Sequence, residues 1–426
     1  MTTAFENENA HTAEPADADP VPAAPVRAAS EPQSTAAPRR FEALRAAAPG
    51  WVVGHLLVIL VAWHHSPKHP LAALLDWDSV WYRWIAGRGY GDGSLIHFFP
   101  LTPAGAALLR LVTRIPVTEA LFGFCWIAAL VFGAALYRLT LLETGDRGAA
   151  RRSAWLIQLA PGAYALVMGY TEPLAGLLAV LYFLFLRSVA ARGGDEAQNE
   201  ARGDDGTRDD LWGMLLRRHG LWPAALVGLL GGISRPTGIV LALAGAIEGW
   251  RIARASGWRP ATTVQAAAAA VAPALGLFAF LAYSRVNYGS WTLPLSQQVI
   301  KTNRGALVND PRTSLHLWLH GAGRGNHGHQ VAAMCVLLIV TAALLILAVA
   351  WKLPWSYLVW TVPSYLLAIT SHSFTSLPRY IGALFPIVMV LAMLTRRRWQ
   401  FWAVLAVSAG LLIWTSHITF SLWLVA

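Results

Sequence analysis

Apolar runs of about 18 or more residues recur along this chain, and that is the length a helix needs to cross the hydrocarbon of a bilayer. Inside hydrocarbon every backbone N–H and C=O must be paired within the protein, so only helices and closed barrels can span it. Barrel strands are about ten residues long, so runs of this length point to helices. Of the 426 residues, 56% are hydrophobic and only 13% are charged, too little charge to clothe a soluble domain of this size. The expected fold class is an all-α polytopic membrane protein.

The formal charge is +10. Residues 1–38 hold six acids and one arginine, a local −5, which leaves +15 on the remainder. In a membrane protein such an excess of arginine belongs to cytoplasmic loops and carries no implication of nucleic acid. Residues 1–45 are rich in Ala, Pro and acid without periodicity and are expected to form a disordered cytoplasmic tail. The tail does not begin with the positive region of a signal peptide, so the first apolar run, 46–63, is expected to be a retained anchor. Residues 46–426 form the membrane domain. Cys125 and Cys335 lie inside apolar segments, with no disulfide framework or metal spacing.

Arg39, Arg40 and Arg45 precede the first span and set the N-terminus inside. Segment 98–115 is apolar but short and carries Arg110 and Arg114. If it does not cross fully, the basic clusters at 138–152, 187–218, 251–259 and 396–398, with Lys352, all fall inside, as the positive-inside rule requires. It is therefore expected to be re-entrant or interfacial. Full spans are expected at 46–63, 119–142, 153–169, 173–189, 221–234, 236–250, 262–284, 331–351, 353–370, 380–394 and 399–421, about eleven in all, with the C-terminus outside. Segment 191–219 reads as a charged cytoplasmic loop, and 64–97 and 285–330 as extracytoplasmic loops.

The first outer loop is the most unusual of these. Projected at 100° per residue, a helix over 74–88 sets Trp77, Trp81, Trp84 and Arg88 on one face, with Asp78, Tyr82 and Ile85 beside it. A tryptophan stripe suits the membrane–water interface, and an interfacial helix is expected here. Asp76-Trp77-Asp78 has the form of a DxD metal triplet, but on a helix the two carboxylates diverge by about 160° and do not share one ion. Asp76 reads first as a helix N-cap, and Asp78 as a cap or as a partner of Arg83 or Arg88. The histidines at 64, 65 and 69 and at 316, 320, 327 and 329 have irregular spacing, and no metal site is expected from them.

Trp77-Asp78, Trp81-Tyr82, Ile85-Ala86, Gly89-Tyr90 and then Phe98-Phe99-Pro100-Leu101-Thr102-Pro103 resemble the PIG-V family of membrane mannosyltransferases, of the GT-C class. Softer matches are Pro161 to Pro173 with its Tyr-Thr-Glu turn, Gly228 to Gly238 ending in Arg-Pro-Thr-Gly, Tyr288-Gly289, Gln297-Gln298, and Pro378-Arg379-Tyr380 with Phe385-Pro386. The resemblance extends over most of residues 46–395. It implies a GT-C-like helical bundle that moves mannose from a polyprenyl-phosphate donor to an extracytoplasmic glycan or lipid acceptor, with inversion and without a cofactor. It also implies that an aspartate of the first outer loop, here Asp78, is the general base.

The chemistry has three requirements. A carboxylate must take the acceptor's proton, and Asp78 stands at a wet interface. The departing phosphate needs guanidinium forks, for which Arg379 and Arg235 are candidates. The sugar needs rings and hydrogen-bonding groups, for which Trp81, Tyr82, Tyr170, Glu172 and Tyr380 are candidates. Rival readings are a polytopic transporter or lipid flippase, a GT-C enzyme for another lipid-linked sugar, and a membrane scaffold. The topology is testable: a cysteine at Ser94 should react with an impermeant thiol reagent on intact cells, and one at Gly206 only after permeabilisation. The reverse pattern would sink the assignment of sides.

Overall fold

The structure, a computed structural model, describes residues 41–199, 219–299, 310, 312, 316, 325–370 and 376–421. All of these belong to the unit Pro38–Ala426. The expected tail up to residue 40, the charged stretch 200–218 and most of the second outer loop, with Lys301, Arg304 and His320, lie outside the described residues. Among the described residues there is helix and loop and no strand.

The helices run in the order α1 (Glu42–His65), α2 (Pro70–Ala73), α3 (Asp78–Arg88), α4 (Leu101–Thr113), α5 (Val117–Thr144), α6 (Arg147–Gln158), α7 (Tyr164–Val167), α8 (Glu172–Asn199) and α9 (Trp222–Ser234). A 3-10 turn, Pro236–Val240, leads into α10 (Leu241–Ala255), followed by α11 (Pro260–Tyr288) and α12 (Leu293–Val299). The chain ends with α13 (Gly325–Lys352), α14 (Trp355–Ile369), α15 (Leu377–Gly382), α16 (Phe385–Leu394) and α17 (Arg398–Phe420).

Six helices are long and apolar enough to cross a membrane: Glu42–His65, Val117–Thr144, Glu172–Ala190, Pro260–Tyr288, Ala332–Lys352 and Arg398–Phe420. They coincide with six of the expected spans. The other five expected spans are helical but shorter or interrupted: 153–169 is divided between α6 and α7, and 380–394 between α15 and α16. Segment 98–115 becomes α4, whose 13 residues reach about 20 Å against about 30 Å of hydrocarbon. Its Leu108, Leu111 and Val112 are among the most exposed apolar side chains of the chain.

Broken helices leave carbonyls that lipid cannot satisfy, so side chains must reach them. Ser408 Oγ donates to the Leu159 carbonyl at 2.8 Å and Thr415 Oγ1 to the Pro161 carbonyl at 2.6 Å, both across the gap between α6 and α7. Trp126 Nε1 donates to Val167 at 2.8 Å, and Thr171 Oγ1 to Ser234 at 3.3 Å. Serine and threonine of the last helix thus hold the bend of an earlier one.

Small residues bring α9 and α11 together. A Cβ on Gly232 would strike the Pro273 carbonyl, and one on Gly276 the Leu229 carbonyl, so the two backbones are in contact. The turn after α9, which carries Arg235, rests on this close pair.

A second device ties the helices near the far end of the apolar segment of α8, Glu172–Ala190. Arg187 grips Glu143 through Nε at 2.7 Å and a second N–H at 3.2 Å, and reaches Glu248 at 3.2 Å. Tyr357 donates to Glu143 at 2.9 Å, Ser356 to Glu248 at 2.5 Å, and Arg251 to Glu248 at 3.1 Å. Both carboxylates are buried, Glu248 entirely, and each has several donors. Removing Glu248 takes one of the two carboxylates from half-buried Arg187 and leaves the buried Ser356 hydroxyl without its acceptor. Glu248→Ala should therefore lower stability by about 3 kcal/mol, read as a lower melting temperature of the purified protein in detergent. An unchanged melting temperature would rule out a clamp at this position.

Candidate functional site

The expected helix over 74–88 does not begin where the projection put it. Trp77 has φ 59° and ψ −127°, a left-handed backbone that no helix accommodates, and α3 starts at Asp78. Such a conformation in a bulky residue costs about 1–3 kcal/mol and persists only when neighbours over-determine it. Here Ser79 supplies one constraint: its hydroxyl reaches both the Leu74 carbonyl at 3.1 Å and the Asp76 carbonyl at 2.6 Å. The Trp77 ring supplies another, half-buried with Nε1 3.5 Å from the Thr419 carbonyl.

This break corrects the helical projection. Trp77 leaves the tryptophan stripe and packs inward, while Trp81 and Trp84 remain exposed on α3 and Arg88 lies 4.1 Å over the Trp84 ring. Asp76 is not the N-cap, a position held by Trp77 without a side-chain bond. Burial raises the Asp76 carboxyl above its usual range. Asp78 is the first residue of α3, where the positive end of the helix favours a carboxylate.

Asp78 pairs with neither Arg83 nor Arg88. Its Oδ2 accepts a hydrogen bond at 2.8 Å from Arg379, which lies 301 positions away on α15. Arg379 is buried, and its second terminal N–H donates to the Tyr380 hydroxyl at 3.1 Å. The guanidinium carbon stands 5.2 Å from the centre of the Tyr170 ring and 4.9 Å from that of Tyr380, so aromatic faces cover the cation. Glu172 opens α8 on the other side. Its Oε1 is 3.7 Å from Arg379 Nε and 3.7 Å from an Arg235 terminal nitrogen. Arg235 in turn lies 5.5 Å from the Tyr380 ring.

Four charges from four distant segments, Asp78, Glu172, Arg235 and Arg379, thus form one cluster of zero net charge. Asp78 is its most open member, with 27% of its side chain exposed, against 2% for Glu172. Among the described residues neither Arg379 Nε nor Glu172 Oε2, both buried, has a hydrogen-bond partner. A buried polar atom without a hydrogen bond costs about 1–3 kcal/mol, so a donor and an acceptor in one cluster are open to a polar group that could reach them.

Of the sugar-binding candidates, Tyr170, Glu172 and Tyr380 belong to this cluster. Tyr82 is buried beside it, edge-on to Phe98 at 5.3 Å, and burial together with the Asp78 and Glu172 carboxylates pushes its phenol well above the ordinary range. Trp81 is the exception, projecting from the exposed face of α3. Tyr90 serves as a strut: it is buried and donates to the Phe98 carbonyl at 2.6 Å, closing the loop after α3. Among the described residues no group of three or more His, Cys, Asp or Glu stands together as a metal site would require.

A residue outside the expected set positions Arg379. A Cβ on Gly162 would strike the Pro378 carbonyl and stand 2.6 Å from the Arg379 Cα. On the same strip Gly382 would meet the Gly162 backbone at 3.1 Å. The α6–α7 bend and α15 therefore touch backbone to backbone where the arginine departs. The signal was present in Pro161-Gly162, but glycine after proline also reads as an ordinary turn.

No protein-family model and no curated protein sequence matches the chain. Solved structures with similarity include the Archaeoglobus fulgidus oligosaccharyltransferase tethered to an acceptor peptide, at 14% identity and TM-score 0.44, covering 88% of this chain and 55% of that one. The apo form of that enzyme gives 12% identity and TM-score 0.45 over 90% and 56%. The archaeal oligosaccharyltransferase AglB from Archaeoglobus fulgidus, in complex with an inhibitory peptide and a dolichol-phosphate, gives 12% identity and TM-score 0.44 over 90% and 56%. The chain spans little more than half the length of these proteins. At such scores the likeness assigns neither an activity nor a substrate.

The close approach at Gly162 has a direct test. Gly162→Ala should destabilise the protein by about 1–3 kcal/mol through overpacking. Gly410→Ala, on an exposed helix position where a Cβ meets nothing within 4 Å, should be neutral or slightly stabilising. Equal melting temperatures for the two variants would count against a backbone contact at Arg379.

Proposed function

We propose that this chain is a membrane glycosyltransferase that moves a hexose, and by its motifs mannose, from a polyprenyl-phosphate donor to a hydroxyl of a glycan or glycolipid on the outer face. The observation that carries the reading is the 2.8 Å pair between Asp78, the acid of the PIG-V-like motif, and Arg379, the arginine of its late Arg-Tyr motif. Two motifs 301 residues apart in sequence meet at one hydrogen bond, beside the Tyr170–Glu172 turn that forms a third.

The residues have the chemistry that the reaction needs. Asp78 has about a quarter of its side chain exposed, at a helix N-terminus that favours a carboxylate, where it can receive a proton. The acceptor oxygen attacks the anomeric carbon while its proton passes to Asp78. The bond from that carbon to the phosphate oxygen breaks on the opposite face, which inverts the configuration. The electron pair leaves with the phosphate, so no second carboxylic acid is needed to protonate it, unlike the paired carboxylates of glycoside hydrolysis. Arg379 and Arg235 supply positive charge for the leaving group. Glu172 holds the two guanidiniums together, since without its carboxylate they would repel. Tyr170 and Tyr380 present ring faces to the same space.

Asp78→Asn should abolish transfer of labelled mannose from polyprenyl-phosphate mannose in membranes, at normal protein abundance. The expected loss is about 100-fold or more, the usual contribution of a positioned base. Undiminished transfer by the asparagine variant would overturn the assignment of the base. Vesicle uptake of a solute that is insensitive to the substitution would favour a transporter instead.

A further inference from the structure

The proposed base and the proposed phosphate ligand are bound to each other. Arg379 donates to Asp78 Oδ2 at 2.8 Å, so the carboxylate that must take a proton is held by the guanidinium that must meet the leaving phosphate. We propose that this ion pair is a proton-operated exchange: protonation of Asp78 during attack releases Arg379 from the aspartate to the phosphate. The inference rests on the reading of Asp78 as the base.

Charge conservation gives the argument its force. Asp78, Glu172, Arg235 and Arg379 sum to zero, and a phosphodiester donor adds one negative charge. In the reaction the acceptor O–H bond breaks and its oxygen forms the new bond to the anomeric carbon. The carbon–oxygen bond to phosphate breaks with its electron pair left on the phosphate, which becomes a dianion. The proton moves to Asp78, which becomes neutral, so the four side chains now sum to one positive charge. The total is unchanged, which matters where charge is poorly solvated. The freed positive charge appears on the residue next to the new negative one.

Three features favour Asp78 over Glu172 as the exchanging partner. Asp78 is within hydrogen-bond distance of Arg379, while Glu172 is at 3.7 Å. Asp78 is 27% exposed and can return its proton to water, whereas Glu172 is 2% exposed. Glu172 is also shared with Arg235, so it retains both cations when Asp78 lets go. Arg379 Nε is buried without an acceptor, which gives the guanidinium an unused donor to turn toward an oxyanion.

The test is phosphate binding by the purified full-length protein in lipid nanodiscs, with polyprenyl phosphate and inorganic phosphate as separate probes. Asp78→Asn imitates the protonated aspartate in shape and charge. It should bind polyprenyl phosphate about tenfold more tightly than wild type, as loss of a close competing charge predicts. The gain should vanish in the Asp78→Asn/Arg379→Gln double variant. The same ratio with inorganic phosphate supports exchange driven by the headgroup alone, and the same ratio confined to the lipid form supports exchange that requires the chain as anchor. Wild-type binding that Asp78→Asn does not improve overturns the exchange and leaves the transferase reading standing. A gain that survives loss of Arg379 also overturns it, since general charge removal then suffices. No binding of either probe by any variant overturns both readings. Asp78→Ser serves in the same comparison if the asparagine protein elutes as aggregate.

Discussion

A guanidinium with less than a tenth of its surface exposed is tolerable in an apolar bundle only if acceptors and ring faces surround it. Arg379 meets that condition with material from four places. Asp78 comes from the start of α3, Glu172 from the start of α8, and the Tyr170 ring from the turn before α8. Its own neighbour Tyr380 supplies the fourth. Each of these has its own requirement upstream. Asp78 reaches the arginine because Trp77 adopts a left-handed backbone and Ser79 folds the preceding residues back. Arg379 reaches the aspartate because Gly162 has no Cβ to strike α15. The positions of the loop before α3, the α6–α7 bend and the last third of the chain are thus linked through one cation.

The interruptions in the helices follow from the same constraint. A side chain delivered at an unwound turn can be aimed across a bundle more freely than one on a continuous helix, but the unwound carbonyls then need partners. Thr415 and Ser408 from α17 and Trp126 from α5 meet that need around α6 and α7, and Thr171 meets it at the end of α9. The hydroxyls of α17 therefore support the backbone that lies against Arg379, although no charged group of α17 enters the cluster.

Length and hydropathy made the six long helices legible, and Pro173 and Pro236 stand at two expected turns, whereas Pro161 falls inside the expected span 153–169 that the structure divides. Asp78 was legible because its motif is dense, with aromatic residues and glycine fixed at close intervals. Its partner was legible only through a resemblance, since nothing local to Arg379 points across 301 residues to Asp78. The helical projection failed at Trp77 because a positive φ is normally announced by glycine or asparagine, and tryptophan gives no such sign. Asp76 was wrongly offered as a cap for the same reason. The cluster of Glu143, Arg187 and Glu248 was missed because acids and arginines at the ends of apolar runs look like solvated termini. Only tertiary packing tells a buried glutamate from a wet one.

That second cluster helps to interpret the first. Glu172 and Arg187 lie on the same helix, 15 residues or about 22 Å apart. Each end of the apolar segment of α8, Glu172–Ala190, carries buried acids and arginines, yet the two ends differ in how they are satisfied. Around Arg187 both Glu143 oxygens and both Glu248 oxygens accept hydrogen bonds, and tyrosine and serine hydroxyls complete the set. Around Arg379, among the described residues, an N–H and a carboxylate oxygen are buried without a hydrogen bond, and the most exposed charge is the aspartate. A cluster that only ties helices together gains by pairing every atom, because each orphan is a direct loss. Among the described residues, the same helix carries one cluster with every carboxylate oxygen bonded and another short by a donor and an acceptor. That contrast distinguishes the clamp from the candidate site more sharply than the presence of buried charge, which both clusters share.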